Sequence, residues 1–135
     1  MNSTIKLFAA ALLAGIGYSA CHKHDHDTSD VTKPTIEITE PLLNDTVVIS
    51  LDSVHIEFLA KDNSSLLNVA VSIKNNSSGA TPFSDSRGIH QASFDYHSHF
   101  VPQGITVPTS MTLSVTATDH NSNSTTKSVN FVVKP

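Results

Sequence analysis

Apolar and polar residues alternate in short runs from Pro34 to the end of the chain. Between Val54 and Phe58 every second residue is apolar, and the polar His55 and Glu57 lie between them. A period of two is that of a β-strand with one buried face. The same alternation predicts these strands: Thr35–Ile38, Thr46–Ile49, Ser53–Ala60, Leu67–Ile73, Ser93–Phe100, Met111–Ala117 and Val129–Val133. In Leu67–Ile73 it places Leu67 on the same inward face as Val69.

Clusters of turn-forming residues separate these runs. They are Asn44-Asp45, Lys61–Ser65, Asn75–Gly79 and Asp119–Asn123, and such clusters end strands because their side chains favour turn conformations. Residues 79–91 show no period, and we expect either a long loop or a short extra strand there.

About seven strands in about 100 residues, with no helical period, predict an all-β domain over residues 34–135. The fold expected is an immunoglobulin-like (Ig-like) antiparallel β-sandwich. The chain has one Cys and no Trp, so the disulfide and tryptophan of antibody domains are absent and the core must be held by apolar packing alone.

The first 20 residues are typical of an export signal. Lys6 supplies a positive charge, and the apolar run Leu7–Ile16 follows it. That run is shorter than the roughly 20 residues that span a bilayer. Tyr18-Ser19-Ala20 then forms a small-residue cleavage region, which predicts a lipoprotein signal peptide over residues 1–20.

The single cysteine directly follows this cleavage region. Ser19-Ala20-Cys21 resembles the lipobox of bacterial lipoproteins, with Tyr18 where Leu is commonest. The resemblance implies that Cys21 is acylated and becomes the first residue of the mature chain. Its acyl chains would then anchor the protein in a membrane.

Residues 21–33 have no hydrophobic period and are rich in His and Asp, so we expect a tether between membrane and domain. Lys23, Asp25 and Asp27 resemble the short signal that directs Bacteroidota-type lipoproteins to the outer face of the outer membrane. The resemblance implies a cell-surface location, with a periplasm-facing one as the alternative. The alternating histidines of this tether either hold a divalent metal or are simply solvated; they are His22, His24 and His26.

Two motifs in the domain support a narrower resemblance. Ala60-Lys61-Asp62-Asn63 with Leu66 or Leu67 after it, and Val115–Asp119 with Asn123, resemble the A-x-D-N-x-x-L and V-T-A-T-D-x-x-x-N motifs of bacterial Ig-like domains. Ile73–Asn76 and Tyr96–Pro102 resemble an Asn-Asn pair and a His-rich segment before a Pro in a family of Bacteroidota lipoproteins. Proteins of that family carry one such domain and have no established activity. The resemblance implies an Ig-like fold and supplies no catalytic residues.

The segment Ser93–Phe100 carries the strongest candidate chemistry. In a strand, Phe94, Tyr96, Ser98 and Phe100 face inward. Asp95, His97 and His99 then share the outer face, where a His-x-His pair can offer two imidazoles to zinc or another divalent metal. His90 or His55 would complete the ligand set. The alternative is a solvated sheet face without a ligand.

Asp62 and Asp119 each end a strand beside an Asn, and cadherin-like folds bind calcium at such places. Calcium needs six to eight oxygen ligands. The alternative is that both carboxylates accept hydrogen bonds from their own turns.

Two triplets, Asp45-Thr46-Val47 and Asp52-Ser53-Val54, resemble the acceptors of Bacteroidota O-glycosylation. Thr46 and Ser53 would carry the glycan. The alternative is that Asp-Thr and Asp-Ser simply begin strands.

Charge and motifs narrow the function classes. A net charge of −4 gives no basic surface for nucleic acid. No Gly-x-Ser-x-Gly elbow or phosphate-binding glycine loop is present, so we do not expect an enzyme. The sequence favours a non-catalytic binding or adhesion module for a protein or glycan ligand. The alternative is a metal-binding surface lipoprotein.

Overall fold

The computed structural model describes residues 30–135, which form eight β-strands and no helix. The strands are β1 Thr35–Glu40, β2 Thr46–Val48, β3 Val54–Lys61, β4 Leu66–Asn75, β5 Phe83–Gly88, β6 Ser93–Phe100, β7 Thr109–Asp119 and β8 Ser124–Lys134. The predicted all-β sandwich is confirmed. The signal peptide, Cys21 and the tether histidines lie outside the described residues.

The strands form two sheets. One has the order β1-β3-β6 and the other the order β2-β8-β7-β4-β5, so β1, β6, β2 and β5 are the edge strands. All pairs are antiparallel except β2 and β8, which run parallel. The chain leaves the first sheet after Glu40 and enters the second at Thr46. This one pair departs from the antiparallel arrangement of the rest, because the strand that follows the crossover joins β8 in the same direction.

The core lies between the sheets and is built from alternate residues of the long strands. Val54, Ile56 and Phe58 of β3 expose 1% or less of their surface, while His55 and Glu57 are half-buried on the other face. Phe58 stacks on Tyr96 of β6 with ring centroids 4.8 Å apart, a separation at which aromatic pairs attract each other. The inward position predicted for Tyr96 is confirmed.

The start of β4 differs from the simple alternation. Leu66 is fully buried, whereas Leu67 is 38% exposed. The pairing of β4 with β7 shifts register between Leu66 and Asn68, and such a shift moves neighbouring side chains to opposite faces. The prediction that Leu67 shares the inward face of Val69 is wrong for this reason.

The segment without a period contains the edge strand β5, so the short extra strand is the correct alternative. It follows a turn in which Asn75 accepts hydrogen bonds from the N–H groups of Ser77 and Ser78. Gly79 lies at φ 75°, a conformation that glycine adopts without a steric penalty. The chain then returns antiparallel to β4.

A polar contact joins the sheets between the edge strands β5 and β6. The Tyr96 hydroxyl donates to Asp85 Oδ2 at 3.0 Å, and Arg87 Nε donates to the same oxygen at 2.9 Å. Arg87, and more weakly the Tyr96 hydroxyl, lower the pKa of Asp85 below its ordinary value of 3.8. Burial raises the pKa of Tyr96 above its ordinary value.

The sandwich has two opposite ends. At the Asp30 end, the connections Asp62–Ser65, 89–92 and 120–123 lie close together, because Lys61 pairs with Ser93 and Leu66 with Asp119. At the Leu51 end, the connections 49–53 and 101–108 are neighbours, because Val54 pairs with Phe100. Strands of eight to eleven residues separate the two ends.

Candidate functional site

The predicted His-x-His face is exposed and lies on the three-stranded sheet. His97 lies opposite Glu57 and His99 opposite His55 in the pairing of β3 with β6. Because the inward side chains of β6 pack on the core, Asp95, His97 and His99 are all exposed. The structure therefore brings these three residues onto one face, together with His55.

The His97 imidazole lies between two carboxylates, and it does not converge with the other histidines of this face on one metal position. Its Nδ1 lies 3.4 Å from Glu57 Oε1, and its Nε2 lies 3.2 Å from Asp95 Oδ1. The rings of His55 and His99 meet edge to face with centroids 4.4 Å apart. Within residues 30–135, the side chains of this face do not bring three ligand atoms within 4.8 Å of one another. As arranged here, the face offers pairs of ligands, and a further group from solvent or a partner would have to complete a zinc site.

His90 lies away from this face. It belongs to the connection after β5, at the Asp30 end, where its Nδ1 is 3.2 Å from Nε2 of His120. His99 lies near the other end of β6, opposite His55. The structure thus pairs His90 with His120. No local sequence pattern indicates this pair, because 30 residues separate the two.

The two aspartates proposed for calcium do come together, and a third joins them. Ligand oxygens of Asp30, Asp62 and Asp119 all lie within 4.8 Å of one another. Asp119 is 1% exposed, whereas Asp30 and Asp62 are half-buried. Asp30 was missed because it precedes the first strand, and no local pattern connects it with either turn.

Neutral donors hold this acidic cluster in place. Asp62 Oδ1 accepts the N–H groups of Ser64 and Ser65, at 3.0 and 2.9 Å. Asp119 Oδ1 accepts those of Asn121 and Asn123, both at 2.8 Å. The turn roles predicted for both aspartates are therefore present. The backbone N–H of Thr32 is the main cause of a lowered pKa at Asp30.

The two candidate glycosylation acceptors line one polar groove of about 380 Å³ on the β1–β2 side of the molecule. Thr46 is exposed and Ser53 is half-buried. Each N–H donates to the aspartate before it, Thr46 at 2.9 Å and Ser53 at 2.7 Å. The hydrogen bond from the Ser53 N–H is the main cause of a lowered pKa at Asp52, and the hydrogen bond with the His55 side chain lowers it further. Four carboxylates line this groove: Glu40, Asp45, Asp52 and Glu57.

Large apolar side chains are exposed mainly on three connections. Seven such residues are exposed in the described chain, and five of them lie between β1 and β2, between β2 and β3, or between β6 and β7. These five are Leu42, Leu43, Leu51, Val101 and Val107. We call them the loop surface. The alternation of apolar and polar residues does not predict this set, because an apolar residue in a turn has no periodic signal.

Comparison with protein-family models and with curated proteins found no match to this chain. Residues 30–135 contain no helix long and apolar enough to cross a membrane.

Proposed function

We propose that the chain is a lipoprotein of the bacterial outer membrane, exposed at the cell surface, whose Ig-like domain is a non-catalytic binding or adhesion module. The loop surface carries this proposal. Leu51 is 85% exposed, Leu43 65% and Val107 63%, and exposed apolar groups on the connections of a rigid sandwich are typical of a binding site. The ligand is a protein or a glycan.

The loop surface is tested by changing it without touching the core. We expect Leu51→Ser with Val107→Ser to weaken binding at least tenfold in a screen of immobilised glycans and extracellular proteins, because two apolar contacts would be lost. Val31→Ser is the matched control, since Val31 is 81% exposed but precedes β1. If the unchanged protein, the double variant and the Val31→Ser control bound a ligand equally well, the binding site would lie elsewhere.

The membrane anchor is tested at Cys21. We expect the protein to fractionate with the outer membrane and to incorporate labelled fatty acid. Cys21→Ser should abolish the label and release the protein, because the thiol is the proposed acylation site. Unchanged fractionation of this variant would contradict lipid anchoring.

Divalent metal binding is the second candidate, supported by the exposed face that carries His55, His97 and His99. We expect residues 30–135, which contain every described strand and lack the tether histidines, to bind one zinc ion through His97 and His99. His97→Ala with His99→Ala should abolish that binding in a calorimetric titration. The double variant His90→Ala with His120→Ala is the matched control. If zinc binding were lost only in this control variant, the assignment to His97 and His99 would be contradicted.

A further inference from the structure

The three clustered carboxylates come from three separate segments of the chain. Asp30 precedes β1, Asp62 follows β3 and Asp119 ends β7. Within residues 30–135, none of the three forms an ion pair with Lys or Arg. Like charges this close repel one another unless a cation compensates them.

A second observation is independent of the clustering. Asp62 Oδ2 exposes less than 1 Å² and accepts no hydrogen bond from the described residues. The other oxygen of this carboxylate already accepts two backbone N–H groups, so Oδ2 is the one left for a ligand. A buried carboxylate oxygen without a partner is unfavourable, and a bound cation would supply that partner.

The donor set selects the kind of cation. All three side chains offer oxygen, which suits calcium and magnesium better than zinc or copper. Two oxygens bound to one calcium ion at 2.3–2.6 Å are at most about 5 Å apart, and the ligand atoms here, which all lie within 4.8 Å of one another, satisfy that limit. Three carboxylates supply only part of the six to eight oxygens of a calcium site, so waters or nearby carbonyls must complete it.

Neighbouring amides already tie the same segments together. Asn123 Nδ2 donates to the Asp30 carbonyl oxygen at 3.0 Å and to Asp119 Oδ2 at 2.7 Å. Asn63 Nδ2 donates to Asp30 Oδ2 at 3.2 Å. The Asp30 segment is therefore docked on both turns, and its carboxylate is held beside the other two.

We propose that Asp30, Asp62 and Asp119 form a calcium site that fastens the segment before β1 to the β3–β4 and β7–β8 turns. This site does not depend on the ligand proposed for the loop surface. An ion bound only by the folded chain stabilises it by mass action. Calcium would also fix the direction in which the chain enters the domain, because Asp30 lies in the last part of the proposed tether, just before β1.

The test uses the mature protein purified in detergent and stripped of metal with EDTA. Isothermal titration with calcium should give one strong site per chain. Calcium at about a hundred times its Kd should raise the Tm by about 10 °C, and magnesium at the same ionic strength by much less. No calcium binding, or an equal rise with both cations, would overturn the proposal.

Asp30→Asn is the decisive variant, because Asn can still accept the Thr32 N–H bond made by Asp30 Oδ1. We expect its Tm in EDTA to equal or exceed that of the unchanged protein, and its calcium-induced rise to disappear. Asp52→Asn is the matched control, since Asp52 also accepts a nearby backbone N–H but lies in the groove beside β2. A calcium response kept in Asp30→Asn and lost in Asp52→Asn would overturn the assignment.

Discussion

At the scale of single residues, aspartate side chains stabilise several of the turns in residues 30–135. Asp45 and Asp52 each accept the N–H of the next residue. Asp62 and Asp119 reach two or more residues ahead. A carboxylate that accepts local N–H groups satisfies donors that no strand can pair. The abundance of Asp beside Ser, Thr and Asn therefore marks where the strands end.

Asp119 is the most buried of these turn residues, so its loss should be the most costly. We expect Asp119→Ala to lower the free energy of unfolding by about 2–3 kcal/mol, because the N–H groups of Asn121 and Asn123 lose a buried, charged acceptor. Urea unfolding in EDTA measures this without any contribution from bound cations. Asp52→Ala, at an exposed carboxylate, should cost less than about 1 kcal/mol, and equal costs would contradict this account.

Asp85 makes stability depend on pH. Its pKa is lowered in the folded protein, so its contribution to stability is complete above the unfolded value of 3.8 and is lost as the pH falls through the folded value. We expect Asp85→Asn to be destabilising at pH 7 and the difference to shrink at pH 3. Urea unfolding at both pH values checks this. Glu37→Gln, at an exposed position, should stay within about 0.5 kcal/mol at both, and a constant Asp85→Asn deficit would contradict the prediction.

At the scale of elements, the shift at the start of β4 decides which of two adjacent leucines belongs to the core. We expect Leu66→Ala to cost about 2–5 kcal/mol, because it leaves a cavity between the sheets. Leu67→Ala should cost less than about 1 kcal/mol. Chemical denaturation of the two variants compares them directly, and the reverse order would show that β4 keeps the simple alternation.

The strands with clean alternation could be predicted from sequence because each buries one face. Strand β5 could not, because Phe83 is followed by Ser, Asp, Ser, Arg and Gly, and only its pairing with β4 makes it a strand. The outward direction of His97 and His99 followed from the period alone. The proximity of His90 to His120 and of Asp30 to Asp119 depends on how the turns come together. A local sequence pattern does not encode that arrangement.

At the scale of the whole molecule, the acidic cluster and Leu51 lie at opposite ends of the sandwich. An anchor before Asp30 would therefore leave Leu51 facing away from the membrane. In cells that carry Leu51→Cys, we expect a membrane-impermeant maleimide to label the protein without lysis, since the only native cysteine is acylated in the proposed form. Labelling only after the outer membrane is opened would contradict surface exposure and place the domain in the periplasm.

The four edge strands affect how copies of the molecule behave side by side. Strand β2 has three residues, β1 is followed by Pro41, β5 carries Asp85 and Arg87, and β6 exposes Asp95 and His97. Short edges, proline and charge each hinder pairing with a foreign strand. Anchored proteins are confined to two dimensions and collide often. In the anchored form proposed above, these edges would protect a crowded layer of such domains against sheet-to-sheet aggregation.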